Sequence, residues 1–369
     1  MKKLKVLISA GGTGGHIYPA ISIINKIKEE NPESEFLYVG TTDRMEAKIV
    51  PLLGIPYLAL EMKGLKKNIK KSAQAINLFL KAIKKCKVEI KKFNPDIVIG
   101  VGGYVTAPVI YSAKKLGYKT IIHEQNSIPG KSNKFLAKYA DCIMISLPES
   151  AKYFHHKNIV LTGNPLSEEA IKAKPINKQE LGFVDNNRKL VLIVMGSLGS
   201  MTINKELMQI VPQFKGKDYN VLLVTGDNYY DKYKDLNIPE NVKIVPFLNN
   251  MLNVLGCVSL IVTRAGASTI AEILALGIPS IFVPSPYVAN NHQYYNAMEL
   301  VNNEASLLLE EKDFNSDNLL KKIDFILDDS VLYKKMHDNA LKMRITDSST
   351  RIYEDIRKLI KWGSYARYN

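Results

Sequence analysis

Short, mostly apolar runs at residues 4–10, 36–39, 97–101, 119–123 and 142–146 are separated by segments of helical length. After TGNPLS at 162–167 the alternation resumes with KLVLIVMG, YNVLLVTG, VKIVPF, VSLIVTRAG and PSIFVP. Strands alternating with helices form parallel, doubly wound sheets, so the expected class is α/β. Two such series, in a chain of 369 residues that exceeds the ~100–200 of a usual domain, predict two Rossmann-like domains facing a cleft. Residues 1–163 are expected to form the first and 164–345 the second. The segment STRIYEDIRKLIKW puts Ile352, Ile356 and Leu359 on one helical face, and a C-terminal helix over 346–369 is expected to pack back on the first domain.

With 46% hydrophobic and 23% charged residues, the composition is that of a soluble globular chain. Cys86, Cys142 and Cys257 lie far apart with no Cys-x-x-Cys pair, which points away from a disulfide framework or a zinc site and toward a reducing compartment. The start MKKLKVLISAGG is basic like a signal peptide, yet its apolar run stops at the glycines and reads as a first strand. No apolar run approaches the ~18 residues of a membrane span. The net charge of +14 asks for a polyanionic neighbour, and most of it is local: Lys63 to Lys92 hold eleven lysines against Glu89, a net +10.

Within that segment Ile69, Ala73, Ile76, Leu80 and Ile83 recur at helical spacing and predict a core-facing stripe. Leu78 then falls on the opposite side among Lys67, Lys71, Lys81 and Lys85, with Phe79 on the flank. Apolar tips ringed by lysines resemble an interfacial patch for anionic lipid; a solvated lysine-rich helix is the other reading. Nucleic acid is not expected, because the segment has no arginine, no aromatic stacking series and no nucleic-acid motif.

Ligands of open parallel sheets bind outside the carboxyl ends of strands. KVLISAGGTGGHIYPA places Gly11, Gly12, Thr13, Gly14, Gly15 and His16 at such a point. The spacing fits neither G-x-G-x-x-G nor a P-loop, since Ile17 holds the third glycine place and no Lys-Ser/Thr follows. What is left is a loop that a ligand can approach closely, with helix N-terminal amides and a histidine; a tight turn capped by Thr13 or His16 is the structural alternative. GVGGYVTAPV repeats the design with Gly102, Gly103, Tyr104 and Thr106, and HEQNSIPGKSN sets His123, Glu124, Gln125 and Asn126 at another strand end.

In the second half, GSLGS presents Gly196, Ser197, Gly199 and Ser200 before a helix, a place suited to a diphosphate. TRAGASTIAE follows with Arg264, Gly266, Ala267, Ser268 and Thr269. Thr269 and Glu272 have capping-box spacing; Glu272 as a carboxylate for two ribose hydroxyls is the functional alternative. NNHQYYNA supplies Asn290, Asn291, His292, Gln293 and Asn296, neutral hydrogen-bonding groups suited to sugar hydroxyls. No cluster has metal-ligand spacing, so neither metal nor cofactor is expected.

The motifs GGTGGHIYPA, GVGGYVTAPV, HEQNSIPGKSN, GNPL, GSLGS, RAGASTIAE and NNHQYYNA, in this order over nearly the whole chain, resemble the MurG family of bacterial peptidoglycan glycosyltransferases. The resemblance implies the GT-B architecture and transfer of N-acetylglucosamine from UDP-N-acetylglucosamine to undecaprenyl-diphospho-N-acetylmuramoyl-pentapeptide, at the cytoplasmic face of the membrane. It places Glu272 on ribose, the loops at Ser197 and at Ala267 to Thr269 on diphosphate, and the backbone near Phe247 and Leu248 on uracil. Gln293 and Asn126 would read the donor sugar, while the loops at His16 and Tyr104 face the acceptor. An inverting displacement needs a base, for which His16 is the first candidate and Glu124 the second. Ser167 stands where the family often has Arg, and Met195 where a Gly commonly precedes the GSLG loop. A sugar-nucleotide 2-epimerase, a diacylglycerol glycosyltransferase, or a non-catalytic UDP-sugar-binding subunit are the alternative readings.

Overall fold

The computed structural model describes residues 3–64, 69–196 and 199–365. Lys67 and Ser197 lie outside these residues, as do the side chains of Ile69 and Lys71. The chain divides into two units, Met1–Leu166 with Asp347–Asn369, and Ser167–Thr346.

The first unit is built on β1 (Lys5–Ala10), β2 (Glu35–Thr41), β3 (Tyr57–Leu60), β4 (Ile97–Gly102), β5 (Lys119–Glu124), β6 (Cys142–Ile145) and β7 (Ile159–Leu161). They lie in the order β3-β2-β1-β4-β5-β6-β7, and every pairing is parallel. The second unit has β8 (Leu190–Val194), β9 (Asn220–Val224), β10 (Val242–Val245), β11 (Leu260–Thr263), β12 (Ser280–Phe282) and β13 (Ser306–Leu308), in the order β10-β9-β8-β11-β12-β13, again all parallel. Central strands such as LVLIV are buried along their whole length, because helices cover both sheet faces. The strands that sequence reading passes over, β3, β7 and β13, all lie at sheet edges and have four, three and three residues, too few to show a period.

In both sheets the winding direction reverses once, between β1 and β4 and between β8 and β11. Doubly wound sheets bind their ligands at such points, outside the carboxyl ends of the strands. The glycine-rich loops follow these four strands. In the first unit, Ile17, Ile23, Ile24 and Ile27 of the helix Gly14–Glu30 share a core with Ile352, Tyr353 and Ile356 of the C-terminal helix Ser348–Tyr365. Pro165 carbonyl oxygen accepts from Ser22 Oγ (3.3 Å) and Ser349 Oγ (3.2 Å), so both helices are tied to the chain where it leaves the unit.

The lysine-rich helix, Ile69–Phe93, has the opposite phase from the one its large side chains suggest. Leu78 is 7% exposed and faces inward with Ala75, Ala82, Cys86 and Ile90, and Phe79 packs partly against the same core. Ile76 (53%), Leu80 (56%) and Val88 (64%) are exposed apolar tips, and Ala73 is exposed too. Close packing on the helix Thr106–Lys115 explains the inversion: the inner face is lined largely by small side chains that let the two helices approach. Lys81 stays exposed, and Lys85 Nζ donates to the Ala59 carbonyl (2.9 Å).

Candidate active site

At the first reversal point the loops after β1 and β4 lock together. Gly11 N–H donates to Gly102 O (3.2 Å), and a Cβ on Gly103, which has φ +86°, would strike the Gly11 carbonyl. Gly102, at φ +122°, lies against the His16 imidazole, and a Cβ there would occupy the ring's place. These glycines therefore seat a histidine on the backbone of the neighbouring strand. His16 Nδ1 lies 3.2 Å from Gly11 O and 3.5 Å from Thr13 Oγ1. The tautomer that donates from Nδ1 to Gly11 carries its lone pair on Nε2, the form a general base requires. Thr13 is the N-cap of the helix without a side-chain cap bond, so Gly14 and Gly15 begin the helix with amides that have no intrahelical acceptor.

Tyr104 is half-buried, and its hydroxyl lies beside the Arg44 guanidinium, which it holds above the ordinary arginine range. After β5, Glu124 is tied into its own loop. Its buried carboxylate accepts from Asn126 N–H (3.0 Å) and Asn126 Nδ2 (3.1 Å) on one oxygen, and from Gly130 N–H (3.0 Å) and Asn133 Nδ2 (2.9 Å) on the other. Four donors engage both oxygens, so Glu124 holds the loop in shape. It presents Asn126 in turn. His123 is fully buried, and burial pushes its pKa down to about 4, so it stays a neutral link between Gly163 O (3.1 Å) and Gln125 Nε2 (2.9 Å).

The second reversal point has its own cluster. Arg264 leaves β11 and is nearly buried, with Nη1 donating to Val283 O (2.9 Å), Nη2 to Ser200 Oγ (3.0 Å), and an ion pair to Glu311 (2.6 Å). It thus braces the loops after β8, β11 and β12, and its cationic edge is internal. Asn296 Nδ2 donates to Ala265 O (3.1 Å) and braces the same loop from below. Gly266 is the N-cap of the helix Ala267–Leu276, so Thr269 is three residues inside it and the capping box with Glu272 does not form. Ser268 Oγ, in the first turn, is buried with no partner. Glu272 is half-buried, and burial, with Glu169 nearby, pushes its pKa up to about 8. A carboxyl in that environment gains from hydroxyl donors.

Gln293 Oε1 accepts from Ser285 N–H (2.9 Å), which aims the amide. Phe247 and Leu248 follow β10, Phe247 half-exposed. The two departures are absorbed locally. Ser167 Oγ donates to Ile345 O (2.7 Å), and Met195 is buried in the second unit's core beside Ile193 and Ile203.

Residues 6–145 match the glycosyltransferase family 28 N-terminal domain, and residues 190–352 match the glycosyltransferase family 28 C-terminal domain. The chain belongs to glycosyltransferase family 28. Within this family, it is 44% identical over 363 residues to the UDP-N-acetylglucosamine--N-acetylmuramyl-(pentapeptide) pyrophosphoryl-undecaprenol N-acetylglucosamine transferase 1 of Bacillus cereus, covering 97% of this chain and 100% of the relative. The Bacillus licheniformis transferase is 42% identical, with 96% and 99% covered. The crystal structure of Acinetobacter baumannii MurG superposes with a TM-score of 0.78 at 25% identity, covering 96% of this chain and 99% of that one. A putative UDP-N-acetylglucosamine 2-epimerase from Listeria monocytogenes reaches 0.69 at 17% identity, a likeness of fold alone.

Several residues of this family 28 chain take part in the two clusters without any motif to mark them. Glu46, Asn204 and Glu311 are of this kind. Asn204 joins Ser200 O (2.9 Å) to Thr225 O (3.2 Å) and accepts from Tyr233 (2.8 Å). Asn204 lies between Ile203 and Leu207, which are buried with it, and a buried amide inside a helix needs hydrogen-bond partners.

Proposed function

We propose that this chain transfers N-acetylglucosamine from UDP-N-acetylglucosamine to the 4-hydroxyl of the muramoyl sugar of an undecaprenyl-diphosphate-linked muramoyl-pentapeptide, with inversion at the anomeric carbon. The observation that carries the reading is identity above 40% along whole relatives that bear this activity in their names. The local geometry supports it. His16 Nε2 accepts the proton of the attacking 4-hydroxyl as the new glycosidic bond forms, and the bond to UDP breaks on the opposite face of the sugar. Charge gathering on the departing diphosphate is met by the N-terminal amides of the helix Ala267–Leu276 and by Ser268. Glu272 receives the ribose hydroxyls, and the Gly14 and Gly15 amides meet the acceptor diphosphate.

The chain works at an anionic membrane surface in this reading. Among the described residues no helix is long and apolar enough to cross a membrane. The contact face is Ile76 and Leu80 with Lys84 and Lys87, in place of Leu78 and Phe79, since these are the residues that point outward.

The test is mass spectrometry of products from the purified chain, UDP-N-acetylglucosamine and a short-chain muramoyl-pentapeptide lipid, beside His16→Ala. A lipid-linked disaccharide from the parent, with turnover falling about 10²–10⁴-fold in His16→Ala, is the expected outcome. Release of N-acetylmannosamine or UDP without disaccharide would overturn the transfer reading.

A further inference from the structure

Glu46 sits in the turn after β2, at the start of the helix Met45–Leu52, and is completely buried. One oxygen accepts from Thr41 N–H (3.1 Å) and Thr41 Oγ1 (2.7 Å); the other accepts from Gly12 N–H (3.0 Å). The Gly12 N–H and the Gly11 C=O belong to one peptide group. The carboxylate therefore holds the N–H end of the same planar unit whose carbonyl lies 3.2 Å from His16 Nδ1. A Cβ on Gly11 would fall on the Glu46 carboxylate, so the glycine is what allows this contact.

We propose that Glu46 is a positioning residue that acts on His16 through the Gly11–Gly12 peptide. An anion at the N–H end polarises the peptide and makes Gly11 O a stronger acceptor. That favours the Nδ1–H tautomer and stabilises the imidazolium that forms when Nε2 takes the acceptor proton, the service a directly bonded aspartate gives in a hydrolase triad. The rest of the loop is clamped to suit: Tyr38 hydroxyl donates to Ala10 O (3.1 Å) and Tyr57 hydroxyl to Thr41 O (2.6 Å). The arrangement also removes Gly12 N–H from any role in anion binding and leaves that to the helix amides at Gly14 and Gly15. The inference rests on His16 being the base, as above.

The titratable groups around this unit are Tyr38 on β2, Tyr57 on β3, Asp43 and Arg44 in the same turn, Tyr104 after β4, and Tyr18 on the helix of His16. Burial and the Glu46 charge push both Tyr38 and Tyr57 up, so they remain neutral phenols. The decisive variant is Glu46→Gln. Its carbonyl can keep the Thr41 donors, but its NH2 then faces Gly12 N–H, donor against donor. The acidic limb of the kcat profile is expected to move to lower pH by about half a unit to one unit, with kcat down about tenfold and the donor KM within twofold.

Thr41→Val, which keeps the carboxylate on Gly12, is expected to leave the limb in place. UDP affinity and the thermal midpoint report whether each variant is folded. An unmoved limb in folded Glu46→Gln, or a limb moved equally by Thr41→Val, overturns the inference; failure of Glu46→Gln to fold passes the decision to Glu46→Asp, whose shorter carboxylate must shift the limb in the same direction. Failure of the underlying reading looks different: the parent makes no disaccharide, or His16→Ala keeps full turnover.

Discussion

Glu272 and His123 carry opposite pH signatures because one is an acid and the other a base in poorly solvated surroundings. The folded state holds a proton on Glu272 up to about pH 8, whereas an unfolded glutamate releases it near 4.5. Its contribution to stability is therefore fully present below about 4.5 and lost as pH rises to about 8. Glu272→Gln should raise the thermal midpoint of the parent, by more at pH 8 than at pH 5, and each 1 kcal/mol is worth about 2–4 °C for a unit of this size. Ribose hydroxyls favour the ionised carboxyl, so UDP binding should release a proton and tighten from pH 6 to 8. Titration calorimetry of Glu272→Gln is expected to show roughly 10- to 150-fold weaker UDP binding without that pH dependence. An unchanged affinity would remove Glu272 from the nucleotide site. His123, with its pKa at about 4, works the other way, and its stabilisation is lost as pH falls through that value.

At the scale of elements, the Lys-rich helix shows how side-chain size misleads. Its sequence offers two apolar stripes, and the larger one, with Ile76 and Leu80, was the natural choice for the core. The fold buries the stripe of Ala75, Leu78, Ala82 and Cys86, because a helix laid close on Thr106–Lys115 has room for small residues. Exposed isoleucine and leucine beside lysines then become the testable surface. Ile76→Ser with Leu80→Ser should lower binding to phosphatidylglycerol vesicles about tenfold without changing the melting temperature, and raised salt should weaken the parent. Equal sedimentation of parent and double variant would remove the helix from the membrane reading. The glycine loops were legible as turns at strand ends from spacing alone. Their detailed purpose was not, since the partner that each glycine accommodates comes from a distant segment: Gly102 faces His16, Gly103 faces Gly11, and Gly11 faces Glu46.

For the whole molecule, the helix Ser348–Tyr365 returns to the first unit after the second is complete. Ile352, Tyr353 and Ile356 are buried in the first unit's core, each worth roughly 1.5–3 kcal/mol when removed from water. Ending the chain at Thr346 should take away most of the marginal stability of that unit, about 5–15 kcal/mol for a domain, and leave the second unit folded. Calorimetry of the truncated chain is expected to lose one transition and keep a UDP-responsive one; retention of disaccharide synthesis would show the last helix to be dispensable. The sequence alone determined the α/β class, the two-sheet organisation and the strand ends where the glycine loops lie, because periodicity and glycine spacing are local properties of a chain. Only the tertiary structure decided which face of the Lys-rich helix is buried, which groups Glu124 and Arg264 bond, and that Glu46 and His16 share one peptide. Each of those depends on segments far apart in sequence meeting at hydrogen-bond distance, and no local pattern encodes that meeting.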